Sequence, residues 1–124
     1  MYYNLKSYYL AVGKNPFEYI PETYHIQKEG DTEWLNFVKV YEKKTFWIVK
    51  PGENSNRGCG IDVVETIDEI KDIIKNKSIR PNGKQRSHIV QKYLMPFLYN
   101  KRKFDIRCYM LVTSLRGNLR CYWY

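Results

Sequence analysis

Cysteine is scarce in this chain. Cys59, Cys108 and Cys121 are the only three among 124 residues. The count is odd, no Cys-x-x-Cys spacing occurs, and only His25 and His88 are available to join them. A disulfide framework and a zinc site are both excluded on that pattern, and reduced thiols in an intracellular protein are expected. Long apolar runs are missing too. Nothing approaches the length of a membrane span, and the N-terminus lacks the apolar stretch of a signal peptide. There is no Gly-x-x-x-x-Gly-Lys-Ser/Thr, so the chain carries no P-loop, and Gly58-Cys59-Gly60 lacks the third glycine of a dinucleotide fingerprint. Acid is almost absent from one stretch: between Lys75 and Arg107 ten lysines and arginines face a single carboxylate, Asp105.

What is present describes a folded domain. Hydrophobic residues make up 44% of the chain, which argues against disorder, and 124 residues suffice for one domain with a core. Twelve tyrosines, five phenylalanines and three tryptophans are expected to supply much of that core. The net charge of +8, concentrated after Lys75, suits a polyanionic partner such as a nucleotide phosphate or an acidic protein tail. A basic aromatic RNA-binding domain is disfavoured, because the rings do not alternate with cations in a stacking pattern and no RNP-like motif occurs.

Periodicity outlines the elements. Met1 to Lys14 is tyrosine-rich and reads as the tail of a preceding region, closed by the turn signal Gly13-Lys14-Asn15-Pro16. Helices are predicted over 32–43, from Trp34, Phe37, Val38 and Tyr41, and over 66–77, from Ile67, Ile70, Ile73 and Ile74. Thr66 and Glu69 form a capping box at the start of the second helix. Strands are predicted at 45–50, 61–64, 89–94, 103–113 and 119–124. The fold class is α+β, a mainly antiparallel sheet with helices packed on one face.

Three segments carry candidate chemistry. In Trp47 to Ile61 a strand delivers Lys50, then breaks into a loop of small and polar residues around Arg57, Gly58 and Gly60. Lysine supplies a point charge, and glycines let backbone N–H groups approach phosphate oxygens. Along 103–113, strict alternation sets Lys103, Asp105, Arg107 and Tyr109 on one face and Phe104, Ile106, Cys108, Met110 and Val112 on the other. That charged face is either a structural ion pair or a phosphate-facing site with Asp105 orienting a cation. Gln91, Lys92, Tyr93 and Leu94 run into a bend at Pro96. They are either a plain strand end or a place where freed backbone groups meet an adenine edge.

Taken in order, Ile20-Pro21-Glu22-Thr23-Tyr24, the Trp47–Pro51 strand, Ser55 to Ile61, Val90 to Leu94 and Arg102 to Arg107 resemble the tubulin–tyrosine ligase and tubulin–tyrosine-ligase-like family. The resemblance implies a partial ATP-grasp domain over 19–124, with 1–18 the tail of a preceding N-terminal region. It implies that Lys50 contacts the α/β-phosphates and that Arg57, Gly58 and Gly60 belong to a phosphate-covering loop. Gln91, Lys92, Tyr93 and Leu94 become an adenine hinge, chiefly through backbone. Lys103 and Asp105 line the nucleotide site, and Arg107 is the catalytic cation near the transferred phosphoryl group.

The implied reaction is ATP-dependent ligation of a free amino acid (Glu, Gly or Tyr) to an acidic tubulin C-terminal tail through an acylphosphate. Glutamylation and glycylation are favoured over tyrosination. The implied cofactors are ATP and Mg²⁺. No metal ligand falls within the chain, and the family's are expected beyond residue 124, so the chain alone is expected to bind nucleotide weakly and not to turn over. A non-catalytic remnant that binds nucleotide or tubulin tails is the alternative. Neither nucleic acid nor membrane is an expected partner. The expected location is the cytoplasm and its microtubule cytoskeleton, extending to the cilium or basal body.

Overall fold

The computed structural model describes residues 2–53, 59–77, 79–80 and 82–124. They form two compact units, Met1–Leu94 and Met95–Tyr124. The described residues are mixed α/β, with antiparallel sheets and three α-helices.

The first unit is built on a four-stranded sheet of order β1-β4-β2-β3, comprising β1 (Thr23–Ile26), β2 (Trp47–Pro51), β3 (Asp62–Val64) and β4 (His88–Lys92). All three pairings are antiparallel. β2 and β3, both predicted as strands, flank the glycine loop and pair as a hairpin, Trp47 opposite Val64. Register places Tyr24, Ile26, Trp47, Val49, Val64 and Val90 on one face. On that face pack Trp34 and Phe37 of α2 (Thr32–Val40) and Ile70 and Ile74 of α3 (Ile67–Asn76), all buried with the strand residues in one core. Four rings share it with six aliphatic side chains: Phe37 lies 4.9 Å from Trp47, centroid to centroid, and 5.6 Å from Tyr24.

Local chemistry fixes the helix ends. Asp31 caps α2 by accepting from the Trp34 N–H at 2.7 Å. Burial pushes its carboxyl up, but hydrogen bonds from the backbone of Trp34, Gln27, Lys28 and Glu33 outweigh that and hold it below the ordinary value. The capping box of α3 is present with both of its reciprocal bonds.

Periodicity predicts no element over Met1 to Lys14, yet Tyr2–Ala11 is a helix, α1. It has no buried residue and no apolar stripe, so periodicity had nothing to register. Its links to β1 and to α2 are polar. The Tyr2 hydroxyl donates to the Thr23 carbonyl at 2.6 Å, and Lys6 lies 3.6 Å from Glu33. The first of these covers the outer edge of β1, which would otherwise present unpaired groups.

The second unit comprises two hairpins, β5 (Leu98–Tyr99) with β6 (Arg102–Lys103) and β7 (Met110–Leu115) with β8 (Asn118–Trp123). Each turns on two residues with positive φ: Asn100 and Lys101 in the first, Arg116 and Gly117 in the second. That is the turn geometry that matches strand twist. The predicted strand over 103–113 is therefore two pieces, with 104–109 outside both. Lys103 pairs with Leu98, whereas Met110 pairs with Trp123, so the ladder changes partner between them. A strand without a continuous neighbour has nothing to hold its pleat.

Candidate functional site

The face of the four-stranded sheet opposite the helix-packed core carries a polar group beside Ile48, Val63 and Ile89. Thr23 and His25 of β1, Lys50 of β2 and Gln91 of β4 all belong to it by register. Lys50 stands opposite Ile89 and Gln91 opposite Ile48, so Lys50 and Gln91 are diagonal neighbours, within reach of long side chains. The Lys50 ammonium donates to Gln91 Oε1 at 2.7 Å. Gln91 Nε2 donates to Thr23 Oγ1 at 2.8 Å, and the Thr23 hydroxyl donates to the Pro21 carbonyl at 2.7 Å. No carboxylate pairs with Lys50 among the described residues. Burial holds its ammonium below the ordinary lysine value. A half-desolvated cation with a neutral partner gains from an incoming anion.

The strand then turns into the loop against a second polar cluster. Gly52 N–H donates to the Ser87 carbonyl at 2.8 Å. A Cβ on Gly52 would stand 2.1 Å from Ser87 Oγ and 3.1 Å from His25 Nε2. Ser87 Oγ and His25 Nε2 are themselves 2.7 Å apart, and His25 Nδ1 meets the Tyr3 hydroxyl. On the far side of the loop Gly60 has φ +76°, and a Cβ there would sit 3.0 Å from Pro51 Cγ. Glycine is therefore required at Gly60 twice over, by backbone conformation and by contact. Arg57 and Gly58, the other predicted loop residues, lie outside the described residues.

Glu53 follows Gly52 and meets Arg86 Nε at 2.8 Å and Arg80 Nε at 3.6 Å. Burial pushes its carboxyl up, yet its own backbone N–H together with Arg86 and Arg80 holds it below the ordinary value. This changes the meaning of the basic stretch. Four of its ten cations have carboxylates from upstream: Lys77 with Asp62 at 2.7 Å, Arg80 and Arg86 with Glu53, and Lys92 with Glu22 at 3.7 Å.

The predicted hinge residues divide. Gln91 lies in a central strand paired on both sides. The Lys92 N–H donates to the Glu22 carbonyl at 2.8 Å and the Tyr93 N–H to the Phe46 carbonyl at 2.9 Å. Those N–H groups are committed to the sheet, and Leu94, exposed past the strand end, is the hinge residue whose backbone has no such bond described.

Lys103, Asp105 and Arg107 belong to the second unit. Lys103 ends β6, while Asp105 and Arg107 line one surface hollow with Cys108 and Trp123. The pleat that would set all three on one face is absent between 104 and 109, and Phe104 and Ile106 are exposed. All three cysteines are free and exposed. No group of three or more His, Cys, Asp or Glu side chains that could hold a metal occurs among the described residues. Sequence reading missed Thr23, Glu53, His25 and Ser87, since a threonine in a strand or a serine in a loop carries no signal until its partner is placed.

Comparison with known proteins agrees with the motifs. Over 110 residues the chain is 36% identical to "Tubulin glycylase 3E" of Tetrahymena thermophila, covering 82% of this chain and 7% of that protein. It is 32% identical over 113 residues to "Probable alpha-tubulin polyglutamylase Ttll1" of the same organism, covering 86% and 26%. It is 30% identical over 112 residues to "Tubulin monoglutamylase TTLL4" of Mus musculus, covering 90% and 8%. The chain thus spans about a quarter or less of the length of these relatives. No solved structure matches. The model of the tubulin-tyrosine ligase family matches residues 1–124, and the chain belongs to that family.

Proposed function

We propose that the chain carries part of the nucleotide site of an ATP-dependent ligase that joins an amino acid to tubulin. On this reading residues 19–124 are the N-terminal part of an ATP-grasp domain, preceded by the tail of another region at 1–18. The observation that supports it is the Lys50 ammonium, half-buried, held at 2.7 Å by a neutral amide and without a carboxylate among the described residues. A structural lysine is normally paired with an acid or left in water. A lysine kept desolvated and charged suits a phosphate.

The residues present fit a nucleoside triphosphate in part. Lys50 would hold the α/β-phosphates, with Gly60 on the far side of the loop leaving room where a Cβ would press on Pro51. Arg57 and Gly58 would complete the phosphate loop, and Gln91, Lys92, Tyr93 and Leu94 the adenine hinge. Lys103 and Asp105 would line the site, with Arg107 facing the transferred phosphoryl group. Bound ATP would supply a phosphoryl group to an acceptor carboxylate, and an amine would open the resulting acylphosphate to an amide. The chain's cations would stabilise charge as it develops on the phosphate oxygens. For Mg²⁺ the described residues bring no suitable ligands together, so no step is assigned to it.

The relatives named as glycylase and glutamylases favour Gly or Glu as the added amino acid and acidic tubulin tails as the acceptor, with action on microtubules. ATP binding to the 124-residue chain, followed by calorimetry with and without Mg²⁺, tests the nucleotide reading. Absence of binding would overturn it. Incorporation of labelled Gly, Glu or Tyr into tubulin by a chain extended to the length of its relatives tests the reaction.

A further inference from the structure

We propose that Thr23 is a positioning residue for nucleotide binding: its buried hydroxyl fixes the amide of Gln91, which fixes the direction of the Lys50 ammonium. This deepens the nucleotide reading above and rests on it for the ligand.

A threonine hydroxyl has one proton, and that of Thr23 goes to the Pro21 carbonyl at 2.7 Å. What Thr23 Oγ1 can still do is accept. The Gln91 amide must therefore turn its NH₂ toward Thr23, and it does so at 2.8 Å. That leaves Oε1 on the side of Lys50, whose ammonium can only donate. Both ends of the amide thus demand the same orientation. Thr23 is 1% exposed, so a reversed amide would leave buried groups unsatisfied. The Thr23 carbonyl is held as well, by the Tyr2 hydroxyl at 2.6 Å. Lysine has a long stem with many rotamers, and an ammonium not held in place pays that freedom on binding a phosphate. An amide acceptor restrains it without cancelling its charge, as a carboxylate would.

Two readouts on the 124-residue chain test this. The first needs no nucleotide: the rate at which Lys50 is acylated by an N-hydroxysuccinimide ester, read by mass spectrometry against the exposed Lys39. The second is affinity for ATP. In Thr23→Val, Lys50 acylation should rise about threefold to tenfold, the equivalent of one lost hydrogen bond, with a comparable loss of ATP affinity. Thr23→Ser keeps the hydroxyl and should restore both. Should the valine variant fail to fold, Thr23→Ala removes the same hydroxyl while leaving Gln91 and Lys50 in place, and should free Lys50 equally. Unchanged Lys50 acylation in the folded variants overturns the proposal even if ATP binds. A response of Lys50 in a chain that does not bind ATP upholds the positioning and overturns the nucleotide reading instead.

Discussion

Lys50 and Gln91, 41 residues apart in sequence, meet at 2.7 Å across the central strands of the sheet. The contact joins a cation to an amide on the face away from the aromatic core, so charge and core are separated by one sheet. Replacing Lys50 with Met should therefore cost little stability, about 1 kcal/mol for the orphaned Gln91 acceptor, because the stem volume is kept. ATP affinity should fall about tenfold to a hundredfold, the range for hydrogen bonds to a charged group. Paired denaturation and calorimetry check both. A large loss of stability with intact binding would make Lys50 structural.

Gly52 should tolerate no side chain. The added Cβ of Gly52→Ala would meet Ser87 Oγ at 2.1 Å, the Ser87 carbonyl at 3.0 Å and His25 Nε2 at 3.1 Å. The expected destabilisation is about 1–3 kcal/mol. Ser87→Ala removes the closest of these atoms, at the loss of its 2.7 Å bond to His25. The double variant should then be more stable than the sum of the singles implies. Urea titrations of the four proteins measure the coupling. Simple additivity would show that the loop relaxes away from Ser87.

These contacts also mark how far the sequence was legible. The capping box at Thr66 and Glu69, the β2–β3 hairpin and the isoleucine face of α3 are local patterns, and the structure has all of them. The relay from Lys50 through Gln91 to Thr23 is not local: its links span 41 and 68 residues. Nor is the tie of Arg86 to Glu53, 33 residues away. For that reason the stretch after Lys75 reads as uncompensated charge in sequence and as partly paired in space. The alternation over 103–113 failed for a related reason, since a period of two shows which side chains could share a face but not whether a neighbour strand exists to flatten it. α1 was missed because tyrosine hydroxyls, rather than an apolar stripe, tie it down.

Phe37 and Phe97 give a contrast at constant chemistry. Phe37 is 0% exposed and packs on Tyr24, Trp34, Tyr41 and Trp47, whereas Phe97 is 78% exposed. Phe37→Ala should cost about 3–5 kcal/mol, enough to unfold much of a marginal domain. Phe97→Ala in the same 124-residue chain should stay within about 0.5 kcal/mol. Thermal and urea unfolding of the two variants side by side would decide. A cost for Phe97 near that of Phe37 would mean that the second unit is packed in solution.

His88 should make stability depend on pH. It is 2% exposed, in the core-facing series of β4 with Val90, and neither ring nitrogen has a partner among the described residues. Burial lowers its pKa below the ordinary histidine value. The Arg86 and Lys77 charges add to that, and Glu53 and Asp62 oppose it. The folded chain therefore holds His88 neutral where the unfolded chain, with a histidine pKa of about 6.5, takes up a proton. Where the unfolded state binds more protons, stability rises with pH. His88 thus contributes full stability above about pH 6.5 and loses it as pH falls from there toward the lower pKa of the folded state. In His88→Leu that slope should vanish, so the unfolding free energy of the wild type should fall relative to that of the variant on acidification from neutrality. Curves that stay parallel through that window would show that His88 takes up its proton in the folded chain as readily as in the unfolded one.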